Sequence, residues 1–233
     1  SLLIRNQPIA RRKEKLRALH RWILENRERI HTAVHADFQK PVQEIDSTDI
    51  YPITAEINHT LRHLDAWAAP RPVSAPLTLL GTTSEVRAEP RGVCLIIAPW
   101  NFPFNLAVGP LVPCIAAGNT AIIKPSEITP NTSALVREMM KELFPPDEVT
   151  VFEGGPEVST ALLSYPFDHI FFTGSPGVGK IVMRAASETL ASVSLELGGK
   201  SPTIVHADAD IYHAARRIAF SKFRSEEHTS ELQ

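Results

Sequence analysis

Val93-Cys94-Leu95-Ile96-Ile97-Ala98 is an unbroken apolar run that leads directly into Pro99-Trp100-Asn101-Phe102-Pro103. A run that is apolar on both faces reads as a strand buried between two layers, as in a parallel sheet. Ala121-Ile122-Ile123, Val149-Thr150-Val151-Phe152 and Ile170-Phe171-Phe172 repeat the character. Helical stretches are expected between and after these runs, over residues 105–117, 131–143, 157–163 and 177–190. Strand–helix alternation at this spacing predicts an α/β fold with a doubly wound parallel sheet. Ligands on such sheets bind beyond the carboxyl ends of the strands. Chemistry is therefore expected after Ala98, Ile123, Phe152 and Phe172.

Upstream the periodicity changes. Leu16, Leu19, Ile23, Ile30, Val34 and Phe38 recur at helical spacing and predict one amphipathic helix over residues 9–39, ended by Pro41. A second helix is expected over 53–69, closed by Pro70 and Pro72. A strand-like pattern around Gly81 predicts a hairpin over 77–90. The expected organisation is an N-terminal helical region (1–76), the hairpin (77–90), a nucleotide-binding domain (91–223) and a polar tail (224–233).

Composition excludes several function classes. The 233 residues carry a net charge of −2, so no overall field favours nucleic acid or an anionic membrane. The ten Lys/Arg against four Asp/Glu in the first 40 residues are interleaved with the apolar stripe and read as a solvated helix face. Two cysteines cannot build a disulfide framework and fit a reducing, cytoplasmic compartment. No apolar run approaches the roughly 18 residues that span a bilayer.

Four loops could carry chemistry. In the loop after the first strand, Asn101 can donate its amide to a developing oxyanion, or it can be a turn residue bonded to its own backbone. Lys124-Pro125-Ser126-Glu127 sets an ammonium and a carboxylate three apart. They can bracket a ribose, or form a surface ion pair. Thr173-Gly174-Ser175-Pro176-Gly177-Val178-Gly179-Lys180 opens a helix and suits a phosphate approach through backbone N–H groups. It nearly matches a P-loop, but Ile181 stands where Mg²⁺ needs a hydroxyl, and Asp208 after Thr203-Ile204-Val205 is a weak second ligand. Leu195-Glu196-Leu197-Gly198-Gly199-Lys200-Ser201-Pro202 places a carboxylate between leucines. Their expected enclosure would strengthen it as a general base. Cys94 and Cys114 lack cationic sequence neighbours and read as buried structural thiols. The pairs His31/His35 and His59/His63 have the i,i+4 spacing of metal ligands, but neither has the Glu of an H-E-x-x-H motif and no Cys lies near. They read as solvated helix-surface histidines, and no metal site is expected.

Taken in order, PWNFP at 99–103, KPSE at 124–127, FTGSPGVGK at 172–180 and LELGGKSP at 195–202 closely resemble the aldehyde dehydrogenase superfamily. The similarity is strongest to its class 3-like branch of fatty and aromatic aldehyde dehydrogenases. The resemblance implies a Rossmann-like domain binding NAD or NADP, with Pro99, Trp100, Lys124, Ser126, Glu127, Thr173, Gly174, Ser175, Gly179, Leu197 and Gly198 at the cofactor. Glu127 beside the ribose leans toward NAD. It further implies Asn101 as oxyanion donor and Glu196 as the base that activates water for deacylation. The implied reaction oxidises an aldehyde to a carboxylate through a cysteine thioester. The whole protein would be a homodimer taking a small aldehyde, and some members carry a membrane anchor at the far C-terminus.

One departure stands out. The family's nucleophilic cysteine follows the LELGG segment by some tens of residues, and no cysteine follows Gly199 here. The chain is therefore expected to be an N-terminal fragment, inactive in aldehyde oxidation. Residues 224–233 match the in-frame translation of a common short-read sequencing adapter and are expected not to be biological sequence. The rival readings are a non-catalytic dinucleotide-binding module and, behind it, a P-loop NTPase.

Overall fold

The computed structural model describes residues 7–223, so the tail expected at 224–233 lies outside the described residues. Two helices open the chain, α1 (Ile9–Glu25) and α2 (Arg27–Phe38). A single helix was expected over 9–39; it is interrupted at Asn26, whose side-chain amide and backbone N–H both reach the Trp22 carbonyl. The backbone bond is kept, but Asn26 leaves the helical dihedrals at φ −111° and ψ 22°, a turn that its side chain supports by bonding the same carbonyl. Gln39 then takes a left-handed conformation and turns the chain. Next come α3 (Val42–Ile45), a π-helical turn (Asp46–Ile50) and α4 (Tyr51–Ala68).

A two-stranded antiparallel ribbon pairs β1 (Arg71–Val73) with β2 (Ser84–Val86). The strand-like pattern over 77–90 thus supplies only the second strand. Leu77–Leu79 forms a 3₁₀ turn in the connection instead.

The sheet itself has five parallel strands: β3 (Val93–Ile97), β4 (Thr120–Lys124), β5 (Val149–Val151), β6 (His169–Gly174) and β7 (Ser192–Leu197). Their order is β5-β4-β3-β6-β7, the doubly wound arrangement with its reversal between β3 and β6. The crossovers are α5 (Pro103–Val108) with α6 (Leu111–Ala117), α7 (Pro130–Leu143), α8 (Pro156–Leu163) and α9 (Pro176–Thr189). The helix expected over 105–117 is two helices because Pro110 follows Gly109 and cannot donate to the ladder. Strand β7 and the last helix, α10 (Ile211–Lys222), were not anticipated.

Alternation along the strands builds two cores. Cys94, Ile96, Ala121, Ile123 and Val149 pack with the N-terminal helices, α6 and α7. Leu95, Ile97, Ile170 and Phe172 pack on the other side with Leu162 of α8 and with Val182 and Ala186 of α9. The N-terminal helices thus share a core with the sheet. They are also tied to it by polar contacts. Asp37 at the end of α2 accepts from the Asn131 N–H (3.1 Å) and amide (2.8 Å), and from the Thr132 N–H (2.8 Å) and hydroxyl (2.7 Å), capping α7 from outside its own sequence. Arg12 of α1 donates to the Ala116 and Ala117 carbonyls at the end of α6. There Gly118 has φ +86°, and a Cβ would meet the Arg12 guanidinium at 2.6 Å.

The histidines divide. His59 and His63 lie exposed on α4, with ring centroids 4.3 Å apart and the planes tilted by 37°. His31, expected on the solvated surface, is buried, with Nε2 2.8 Å from Asp46 Oδ1. The π-helical turn brings Asp46 to it, and no local sequence signal announces that contact.

Asp37→Ala removes the acceptor for two otherwise unpaired N–H groups in the first turn of α7. We expect a loss of about 1–2 kcal/mol in urea-induced unfolding. An unchanged denaturation midpoint would show that the inter-helix cap contributes nothing.

Candidate functional site

The parallel register sets the strand ends level. Ile97 stands beside Lys124 on one side and Phe172 on the other, and Phe172 stands beside Leu195. A cleft of about 530 Å³ opens over these ends. Its walls are Pro99 and Trp100 after β3, Lys124 at the end of β4 with Ser126 and Glu127 after it, Thr173 and Gly174 at the end of β6 with Ser175 after them, and Gly198 after β7. Ser159, Thr160 and Leu163 of α8 complete it, a wall that sequence reasoning missed although it pointed to the loop after Phe152.

Lys124 is buried, and its Nζ donates to Glu127 Oε2 at 2.6 Å. Burial alone would raise the Glu127 carboxyl. The hydrogen bond from Lys124, a hydrogen bond from the backbone N–H of Glu127 itself and the Lys124 charge together outweigh burial and hold Glu127 below the ordinary glutamate range. Ser126 is buried and ties the turn, its Oγ accepting from the Ile128 N–H and its carbonyl from Ser133 Oγ at 2.8 Å.

Ser175 caps α9, accepting from the Val178 N–H through Oγ. Gly174 has φ +157°, and a Cβ there would meet the Phe172 ring at 2.6 Å. The turn therefore brings bare backbone and the positive end of a fourteen-residue helix to the cleft. Thr173 Oγ1 is buried at this wall with no hydrogen-bond partner among the described residues. A buried hydroxyl left unpaired is costly, and a polar ligand group would satisfy it.

Four expected residues stand off the walls. Gly179 and Leu197 pack on each other, since a Cβ on Gly179 would meet Leu197 Cδ2 at 2.9 Å. Asn101 is buried beneath the loop, where its carbonyl accepts from Lys40 Nζ at 2.6 Å. Glu196 is exposed, so the apolar enclosure expected from its leucine neighbours is not present. Strand alternation is the reason: Leu195 and Leu197 face α9, and Glu196 faces the opposite side of an edge strand.

The thiols are buried in the core away from the cleft, and Cys114 Sγ approaches the Thr120 carbonyl at 3.7 Å. The adjacent Cys94 thiol, together with burial, pushes Cys114 well above the ordinary thiol range. Residues 203–205 form no strand, and Asp208 is exposed and paired with His206, so Asp208 does not stand at a strand end as the second acidic ligand of a P-loop. Among the described residues no cluster of three or more His, Cys, Asp or Glu could hold a metal ion. Nor is any helix of those residues long and apolar enough to cross a membrane.

Comparison with known proteins assigns the architecture. The profile of the aldehyde dehydrogenase family matches residues 3–228. The chain is 42% identical over 212 residues to mouse aldehyde dehydrogenase family 3 member B3, a match covering 91% of this chain and 44% of the relative. The substrate-bound structure of Staphylococcus aureus AldH superposes with a TM-score of 0.89 at 44% identity, over 94% of this chain and 48% of that one. Betaine aldehyde dehydrogenase from Staphylococcus aureus, crystallised with NAD+, gives a TM-score of 0.85 at 30% identity, over 94% of this chain and 43% of that one. The chain thus spans about half the length of the relatives it matches.

The Lys124–Glu127 pair carries a pH signature. A carboxylate held low in the folded state contributes stability above its unfolded range, and that contribution is lost as pH falls through the lowered value. Glu127→Gln should destabilise the fold near neutrality by about 1 kcal/mol, read as a lower melting temperature, the half-exposed carboxylate being partly screened by solvent. In thermal melts across a pH series the gap should close in acid. A gap that widens in acid contradicts the assignment.

Proposed function

This chain belongs to the aldehyde dehydrogenase family of NAD(P)-dependent oxidoreductases, and on that premise we propose that it is the dinucleotide-binding half of such an enzyme. One observation carries the reading. The level strand ends bring the Lys124–Glu127 pair, the Gly174–Ser175 turn and the unsatisfied Thr173 hydroxyl into a single cleft. These groups fit a dinucleotide. Lys124 and Glu127 offer a donor and an acceptor to ribose hydroxyls. The backbone of the turn and the start of α9 offer N–H groups to a pyrophosphate. Glu127 would repel a phosphate on the ribose, which favours NAD over NADP. When bound, the cofactor supplies the hydride acceptor for aldehyde oxidation.

In the whole protein, Asn101 would donate its amide to the oxyanion, and Glu196 would take a proton from the water that cleaves a thioester. The open side of β7 leaves Glu196 accessible for that contact. Neither thiol reaches the cleft, which supports the reading that this stretch alone binds dinucleotide without oxidising aldehyde. Two free buried thiols support a reducing, cytoplasmic setting. Homodimerisation, the aldehyde taken and any membrane contact belong to the whole protein.

Titration with NAD+ by calorimetry tests the proposal. The chain should bind, Lys124→Gln should weaken binding by roughly tenfold or more, and Gly174→Val should abolish it by blocking the turn. Addition of a fatty or aromatic aldehyde should produce no NADH. Robust turnover would make Cys94 or Cys114 the nucleophile and sink the reading of both as structural.

A further inference from the structure

Lys40 is a buried lysine in a place that fold stability alone does not explain, 8% exposed beneath the loop that carries Asn101. Its Nζ donates to the Asn101 carbonyl at 2.6 Å and lies 3.6 Å from Asp49 Oδ2. The Phe102 ring centre is 4.4 Å away and the Phe38 ring centre 5.1 Å. Asp49 is fully buried on the π-helical turn. It accepts from the Asn105 N–H at 3.2 Å, at the start of α5, while the Asn105 amide donates to the Thr48 carbonyl at 2.9 Å. Phe38 also stacks on Trp100, with centroids 5.7 Å apart.

The clamp therefore grips the loop on both sides of Phe102-Pro103. A buried ion pair adds little net stability against an apolar replacement, because desolvation offsets the attraction. What it does provide is orientation. An ammonium held by a carboxylate and two ring faces fixes the direction of the carbonyl it bonds, and so the plane of the Asn101–Phe102 peptide.

We propose that Lys40, held by Asp49, is a positioning residue that sets the direction of the Asn101 amide for oxyanion stabilisation. This deepens the proposed function and rests on Asn101 being the oxyanion donor. The Lys40–Asp49 pair acts through the peptide and touches no reacting atom. The π-helical turn follows as part of the same device, since it carries both Thr48 and Asp49 to the loop.

The test uses the full 233-residue chain, isotope-labelled for NMR, with Lys40→Met and the double variant Lys40→Met/Asp49→Asn. The double variant removes both charges, so no unpaired buried charge remains to unfold it. The expected result is a shifted Asn101 side-chain amide signal and a shifted Trp100 indole signal. Amide exchange should rise roughly tenfold or more from Trp100 to Asn105, while β4 and β6 keep parental rates. A folded double variant with parental Asn101 signals overturns the proposal. So does exchange that rises equally across the sheet, or failure of both variants to fold, since either marks Lys40 as merely structural. NAD+ added to the parent chain reports separately through the signals of Lys124, Glu127 and Gly174. Their failure to move removes the dinucleotide reading and leaves the Lys40 result standing.

Discussion

Strand β3 pairs in parallel with both β4 and β6, and much of the molecule follows from that one arrangement. Its side chains are apolar on both faces, so it needs a helical layer on each side. Its two partners run on to helices that leave in opposite directions, which opens a crevice between them. The in-register pairing holds Lys124, Ile97 and Phe172 level, so loops far apart in sequence begin at one height. The cleft is a consequence of this register more than of any single loop.

Glu196 illustrates the limit that alternation imposes. The leucines flanking it were expected to shield it, but residues adjacent in a strand point to opposite faces. Leu195 and Leu197 serve the helix side, where Leu197 meets Gly179. Glu196 is left on the open side of an edge strand. A carboxylate so placed draws its chemical environment from whatever packs on that side.

What could be read from the sequence follows the same physics. Strands apolar on both faces declare themselves, and four of the five sheet strands were legible as runs. Strand β7 was not, because Ser192-Val193-Ser194-Leu195 alternates, as a strand packed on one side must. The cleft loops were legible through the strand-end rule. The contribution of α8 was not, because Ser159 and Thr160 reach the cleft through topology rather than through a motif. His31 and Lys40 read as surface residues of basic, polar stretches, and only the π-helical turn, which no periodicity announces, gives them carboxylate partners, a part-exposed Asp46 for His31 and a buried Asp49 for Lys40. Asn26 had the chemistry to interrupt a helix, but a single Asn within a long apolar stripe is a weak break signal.

The strand order also bears on the sequence of assembly. Gly92 and Asn119, at the start of the β3–β4 pair, are 27 residues apart, whereas Val93 and Asp168, which open the β3–β6 pair, are 75 apart. Closing the longer loop costs more entropy, and contacts of long sequence separation slow folding. The β3–β4–β5 wing can therefore gather first, from neighbours in sequence. The crevice between β3 and β6 exists only once the distant wing docks, so a ligand bound there would report that the slowest contact of the fold has been made.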